Sequence, residues 1–91
     1  MMLAAVGFLA CDPAAASLCA PRAAIKAHLE TRFAERATFV AMNDIGVIEV
    51  WTNDQTKTWT ITHTNLDGVA CVVSTGQDFE RLTKPAPKIN G

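Results

Sequence analysis

Within "APRAAIKAHLETRFAER" the apolar residues Ile25, Leu29 and Phe33 recur at i, i+4 and i+8, which places them on one stripe of a helix. The spacing predicts a helix from Pro21 to Arg36. Pro21 suits the first helical position, where its missing N–H would have had no intrahelical partner. Lys26 and Glu30 stand one turn apart, the spacing of an exposed ion pair.

The period then falls from near four to two. Four segments read as strands: "ATFVAM" (37–42), "VIEVWT" (47–52), "KTWTITHT" (57–64) and "VACVVST" (69–75). The separators "NDIG", "NDQT" and "NLDG" carry tight-turn residues. "DFERL" (78–82) suggests a short helical turn, and residues 83–91 read as a loose tail. The expected fold is α+β, one N-terminal helix packed on a four-stranded antiparallel meander, in a single domain of residues 17–82.

Polarity fixes an expected register. A turn on Asp54 and Gln55 sets Val50 opposite Trp59 and Ile48 opposite Ile61. Glu49 then faces Thr60, and Trp51 faces Thr58. An odd slip would mix the apolar and polar faces. In the next hairpin, a left-handed Gly68 places His63 opposite Cys71 and Ile61 opposite Val73. The apolar set is expected beneath the helix. The other face, with Trp51, Glu49, Thr58, Thr60 and Thr62, is expected to lie outside, unless the segment around Phe79 and Leu82 covers it.

Composition narrows the class. The chain has 91 residues, 49% hydrophobic, which fits one small domain rather than a disordered segment. Its 8 basic and 9 acidic residues leave a net charge of −1, and the basic residues do not cluster, which argues against a nucleic-acid partner. Residues 1–16 resemble a secretory leader in their apolar run and in the small residues of "AAAS", although no Lys or Arg precedes the run. An upstream start codon would account for that departure. "FLAC" (8–11) departs from a lipoprotein box, because Phe8 stands where leucine is wanted and only ten residues precede Cys11.

Cysteine arithmetic agrees with export. Of Cys11, Cys19 and Cys71, cleavage after Ala16 removes the first and leaves a pair to close as a disulfide in an oxidising compartment, periplasmic or extracellular. A core this small benefits from such a staple. No apolar run is long enough to span a membrane in the mature chain.

"CAPR" at a helix start, followed by "TWTITHTNLDGVACVVSTG", resembles small exported bacterial proteins that pair a C-x-P-R helix start with a TWT…DG-x-x-C hairpin. The likeness spans roughly residues 19–80. It implies export and the disulfide, and it brings no activity with it.

Candidate chemistry is sparse. Cys19 before a helix could be a low-pKa thiolate, but the paired-cysteine reading leaves it no free thiol. Cys19, Cys71 and His63 lack a fourth zinc ligand and any metal-site spacing, so no metal or cofactor is expected. His28 flanks the helix stripe as a boundary residue. Ser17 and Ser74 have no nucleophile elbow and the glycines form no phosphate loop, so no catalytic set is assigned. One strand of alternating threonines is too little for an ice-binding array and fits ordinary β-propensity. The functional expectation is a non-catalytic binding module that uses Trp51 and its threonine neighbours against a protein or small ligand. The alternatives are an accessory subunit or inhibitor acting by strand-edge pairing, and a small thiol- or histidine-dependent enzyme.

Overall fold

The computed structural model describes residues 18–83. The expected leader, Cys11 and the tail beyond Thr83 lie outside the described residues. The described part is α+β: strand β1 (Cys19–Pro21), helix α1 (Arg22–Phe33), and strands β2 (Arg36–Asn43), β3 (Gly46–Thr52), β4 (Trp59–Thr64) and β5 (Val69–Gly76). All pairings are antiparallel, in the spatial order β1-β5-β4-β3-β2. Among the described residues the sheet therefore has five strands, not four. The extra one is too short for a periodicity to reveal it, and it owes its place to pairing with β5.

This order dictates where the helix lies. β1 and β2 occupy opposite edges, so α1 must carry the chain from one edge to the other over one face. Twelve residues of helix span about 18 Å, and five strands span about 19 Å from first to last. The helix is thus the right length for the crossing. Pro21 stands at the N-cap, one residue before the expected first helical position and with no side-chain hydrogen bond to the helix, and Ala34 ends the helix in the left-handed conformation at φ 50°, with the Glu35 N–H donating to the Leu29 carbonyl. It is shorter than expected because Glu35 and Arg36 are drawn back to the sheet. Ile25 and Leu29 are buried as the stripe required, whereas Phe33 is exposed at the final turn. Lys26 and Glu30 form the expected ion pair at 2.8 Å.

The β3–β4 register differs from the expected one by two residues. Val50 lies opposite Ile61, Trp51 opposite Thr60, Glu49 opposite Thr62 and Thr52 opposite Trp59. The connection is longer than a two-residue turn, because Asn53 Oδ1 accepts from the Gln55 and Thr56 amides and the Asn53 N–H donates to Thr58. An even shift leaves the face partners together. The β4–β5 hairpin turns as expected, with Gly68 at φ +85° and His63 opposite Cys71. A bulge at Val73 then sets Ile61 opposite Ser74.

The segment after β5 has no helical turn. It runs back past the β3–β4 connection, where the Phe79 N–H donates to the Lys57 carbonyl and Arg81 pairs with Asp54 at 2.9 Å. Phe79 holds this segment between Lys57 and Arg81, each a cation within 6 Å of its ring.

Candidate interaction surface

The expected binding face is not a surface. Trp51 and Thr62 are each 1% exposed, and Glu49 and Thr60 are buried with them. Thr58 precedes β4, half-buried in the connection, with its hydroxyl against that of Thr56. The residues that share a face were grouped correctly, but α1 covers the Trp51 and threonine side, and the C-terminal segment does not reach it.

Burial of so polar a face follows from its hydrogen bonds. Trp51 Nε1 donates to Thr62 Oγ1 at 2.9 Å. Thr60 Oγ1 donates to Glu35 Oε1 at 2.7 Å. Arg22, the first residue of the helix, forks onto Glu49: Nε donates to Oε1 at 2.8 Å and Nη2 to Oε2 at 2.6 Å. The Arg22 guanidinium also lies 5.5 Å over the Trp51 ring. The hydrogen bond to Glu49 raises the Arg22 pKa above its ordinary value, against the opposing effect of burial. Arg22 therefore stays charged throughout the physiological range. Sequence reasoning had no role for Arg22 or Glu35, because each acts across the fold from its partner.

Glu35 is buried with its second oxygen, Oε2, unpartnered among the described residues. Beside its partner Thr60 is an open cavity of about 190 Å³, lined also by Leu18, His28, Leu29, Phe33, Val72 and Thr75. Its walls are apolar, and among the described residues no group of three His, Cys, Asp or Glu side chains is placed to hold a metal.

Cys19 and Cys71 are bonded to each other, directly opposite in the β1–β5 pair with a Cα–Cα distance of 4.0 Å. The pairing is the expected one, but its location is not: Cys71 follows His63 and Ile61 onto the face away from the helix. His63 is half-buried, with Nε2 unpartnered among the described residues. On that face Ile48, Val50, Trp59 and Ile61 are half-buried. Trp59 packs on Gly76 of the neighbouring strand so closely that a Cβ there would lie 2.7 Å from Cζ2.

The two edges of the sheet differ most. β1 has three residues, ends in Pro21 and is tied to its neighbour by the disulfide. β2 has eight residues, every one exposed. Among the described residues it pairs with β3 on one side only. Phe39 is 61% exposed, Val40 60% and Met42 78%. The side chains lie on both faces: Phe39 and Ala41 stand opposite Val50 and Ile48, Val40 and Met42 opposite Glu49 and Val47. Helix α1 ends before β2 begins and leaves its far half bare.

Which backbone groups of β2 face outward follows from alternation. The Asn53 N–H donates to the Thr58 carbonyl, so residues 51, 49 and 47 of β3 direct their backbone groups at β4. Residues 50, 48 and 46 then direct theirs at Phe39, Ala41 and Asn43. The amides and carbonyls of Val40 and Met42 are left pointing away from the sheet. Natural sheets usually protect such an edge with charges, prolines or bulges. β2 has one charge, Arg36, and one bulge, between Ala37 and Phe39, both at its start. The expected meander already put this strand first, and so at an edge; what it did not foresee was that apolar residues stay exposed on both of its faces.

No family model, no curated protein and no solved structure matches this chain.

Proposed function

We propose that this chain is a non-catalytic interaction module, exported and stapled by Cys19–Cys71, that binds by adding a partner's strand to the open edge of β2. The observation that carries this reading is the exposed stretch from Phe39 to Asn43, apolar as far as Met42, whose outer edge is unpaired among the described residues. Strand addition gains affinity from backbone hydrogen bonds and selectivity from side chains that alternate between the two faces. β2 offers outward donors and acceptors at Val40 and Met42, with Phe39 and Ala41 on one face and Val40 and Met42 on the other. The reading replaces the Trp51 and threonine face with the strand edge as the binding element.

Two features support the absence of catalysis. The helix-start cysteine is bonded to Cys71, so it offers no thiolate. The buried polar groups under α1 are mostly committed to one another. Export is supported by the disulfide and by the small size of the fold it ties, since such bonds persist in oxidising compartments. No helix of the described residues is long and apolar enough to cross a membrane.

Proline at Met42 tests the reading. It removes an outward N–H, which an edge strand tolerates, and leaves the ladder to β3 intact. Cross-linking in intact producing cells should yield adducts of the wild-type protein that Met42→Pro loses, with the far-ultraviolet circular dichroism spectrum of the folded chain unchanged. If Met42→Pro keeps every adduct, the edge is not the binding element.

A further inference from the structure

We propose that the strand added to β2 is the β2 of a second copy, so that two sheets join across a twofold axis into one ten-stranded antiparallel sheet. The inference rests on the edge-pairing reading above and names its partner. Its starting point is the position of the outward groups. Only Val40 and Met42, in the regular part of the strand, turn their amides and carbonyls away from β3. In an antiparallel pair, two residues that directly face each other can exchange both bonds. Val40 of one copy opposite Met42 of the other, and Met42 opposite Val40, uses all four outward groups of each strand in one register. The twofold axis then passes between the two Ala41 residues.

The side chains agree with that register. Val40 and Met42 are the exposed apolar pair on the helix side, and each becomes the other's cross-strand neighbour. On the opposite side the smallest residue, Ala41, stands at the axis where two copies of one side chain must meet. Phe39 falls opposite Asn43, whose side chain is already turned to its own loop through Oδ1 and the Ile45 amide. The bulge between Ala37 and Phe39 lies outside the paired stretch and ends it.

The other edge sets the stoichiometry. A chain with two open edges can add copies without limit, whereas an isologous contact through one edge closes at two. β1 is short, carries Pro21 and is bonded to β5. The disulfide edge therefore allows a closed dimer through β2 and opposes a growing fibre.

Sedimentation of protein from the producing cell, with any free thiol alkylated, tests the proposal. Wild type should sediment as a dimer. Ala41→Lys and Ala41→Glu, both at an exposed position, should each weaken association about tenfold or more through like charges facing across the axis. An equimolar mixture of the two should restore the dimer, because lysine then faces glutamate. A dimer that neither substitution weakens, or a mixture that stays monomeric, overturns the twofold at Ala41. Amide exchange separates the failure of this inference from the failure of the reading beneath it. A wild-type monomer with fast exchange at Val40 and Met42 and slow exchange at Ala41 overturns self-pairing and leaves the edge for a strand of another protein. A monomer with all three amides protected overturns edge pairing altogether.

Discussion

The two faces of this sheet reverse the usual relation between polarity and burial. The face beneath α1 carries Glu49, Thr60, Thr62 and Thr64 around Trp51, and all are buried. The opposite face carries Ile48, Val50, Trp59 and Ile61, and none is fully buried. What decides burial here is which face the chain must cross to get from β1 to β2. Once the crossing is set, the polar face is tolerable because most of its polar groups find partners, Glu49 on Arg22 of the helix, Thr60 on Glu35 and the Trp51 indole on Thr62, while the Thr64 hydroxyl and Glu35 Oε2 have none among the described residues. The apolar face keeps the disulfide and the partial cover of Trp59 by the Gln77 carbonyl.

The sharpest way to break the comparison is to delete the two tryptophans separately. Trp51→Ala should destabilise the fold by about 3–5 kcal/mol, the range for an aromatic removed from a packed site. Trp59→Ala should cost clearly less, since its ring keeps contact with solvent. Denaturant unfolding monitored by far-ultraviolet circular dichroism measures both. Equal losses would mean that the two faces contribute alike.

Opening the disulfide ranks next and isolates the other face. The bond spans 52 residues of sequence. Loop-closure entropy for a ring of that size gives about 4 kcal/mol, and engineered and native bridges often return less. The paired variant Cys19→Ser with Cys71→Ser should lower the urea midpoint accordingly while leaving the Arg22–Glu49 fork in place. A double variant as stable as the parent would remove the disulfide from the account of how β1 is held.

The smallest effect sharpens the polar side. Thr62→Val keeps shape and removes the acceptor of the Trp51 indole N–H, which should cost about 1–3 kcal/mol for a buried donor left unpaired. The same change at Thr58, half-buried and outside β4, should have an effect near zero. The indole N–H resonance of Trp51 should shift upfield in Thr62→Val and stay in place in Thr58→Val.

The strand segments, the Gly68 turn, the Lys26–Glu30 pair and the Cys19–Cys71 pairing were legible in the sequence because each depends on neighbours or on parity. Alternation along "TKTWTITHT" sorted the face partners correctly even though the hairpin register was two residues off, since an even slip preserves faces. The site was much less legible. Parity groups residues and says nothing about which group a helix will cover. The Ile25 and Leu29 stripe pointed to an apolar partner face, yet Arg22 at the start of α1 and Glu35 just beyond its end bond to Glu49 and Thr60, partners 27 and 25 residues away.

By itself the sequence determined local periods, turns, the odd cysteine and the division of strand residues into two sets. Only the tertiary structure decided that β1 pairs with β5 and that α1 crosses the polar set. The reason is the range of the interactions. Period and turn chemistry act within a few residues, whereas strand order is fixed by contacts between segments far apart in the chain. Whether Phe39, Val40 and Met42 form core or contact surface depends on that order alone.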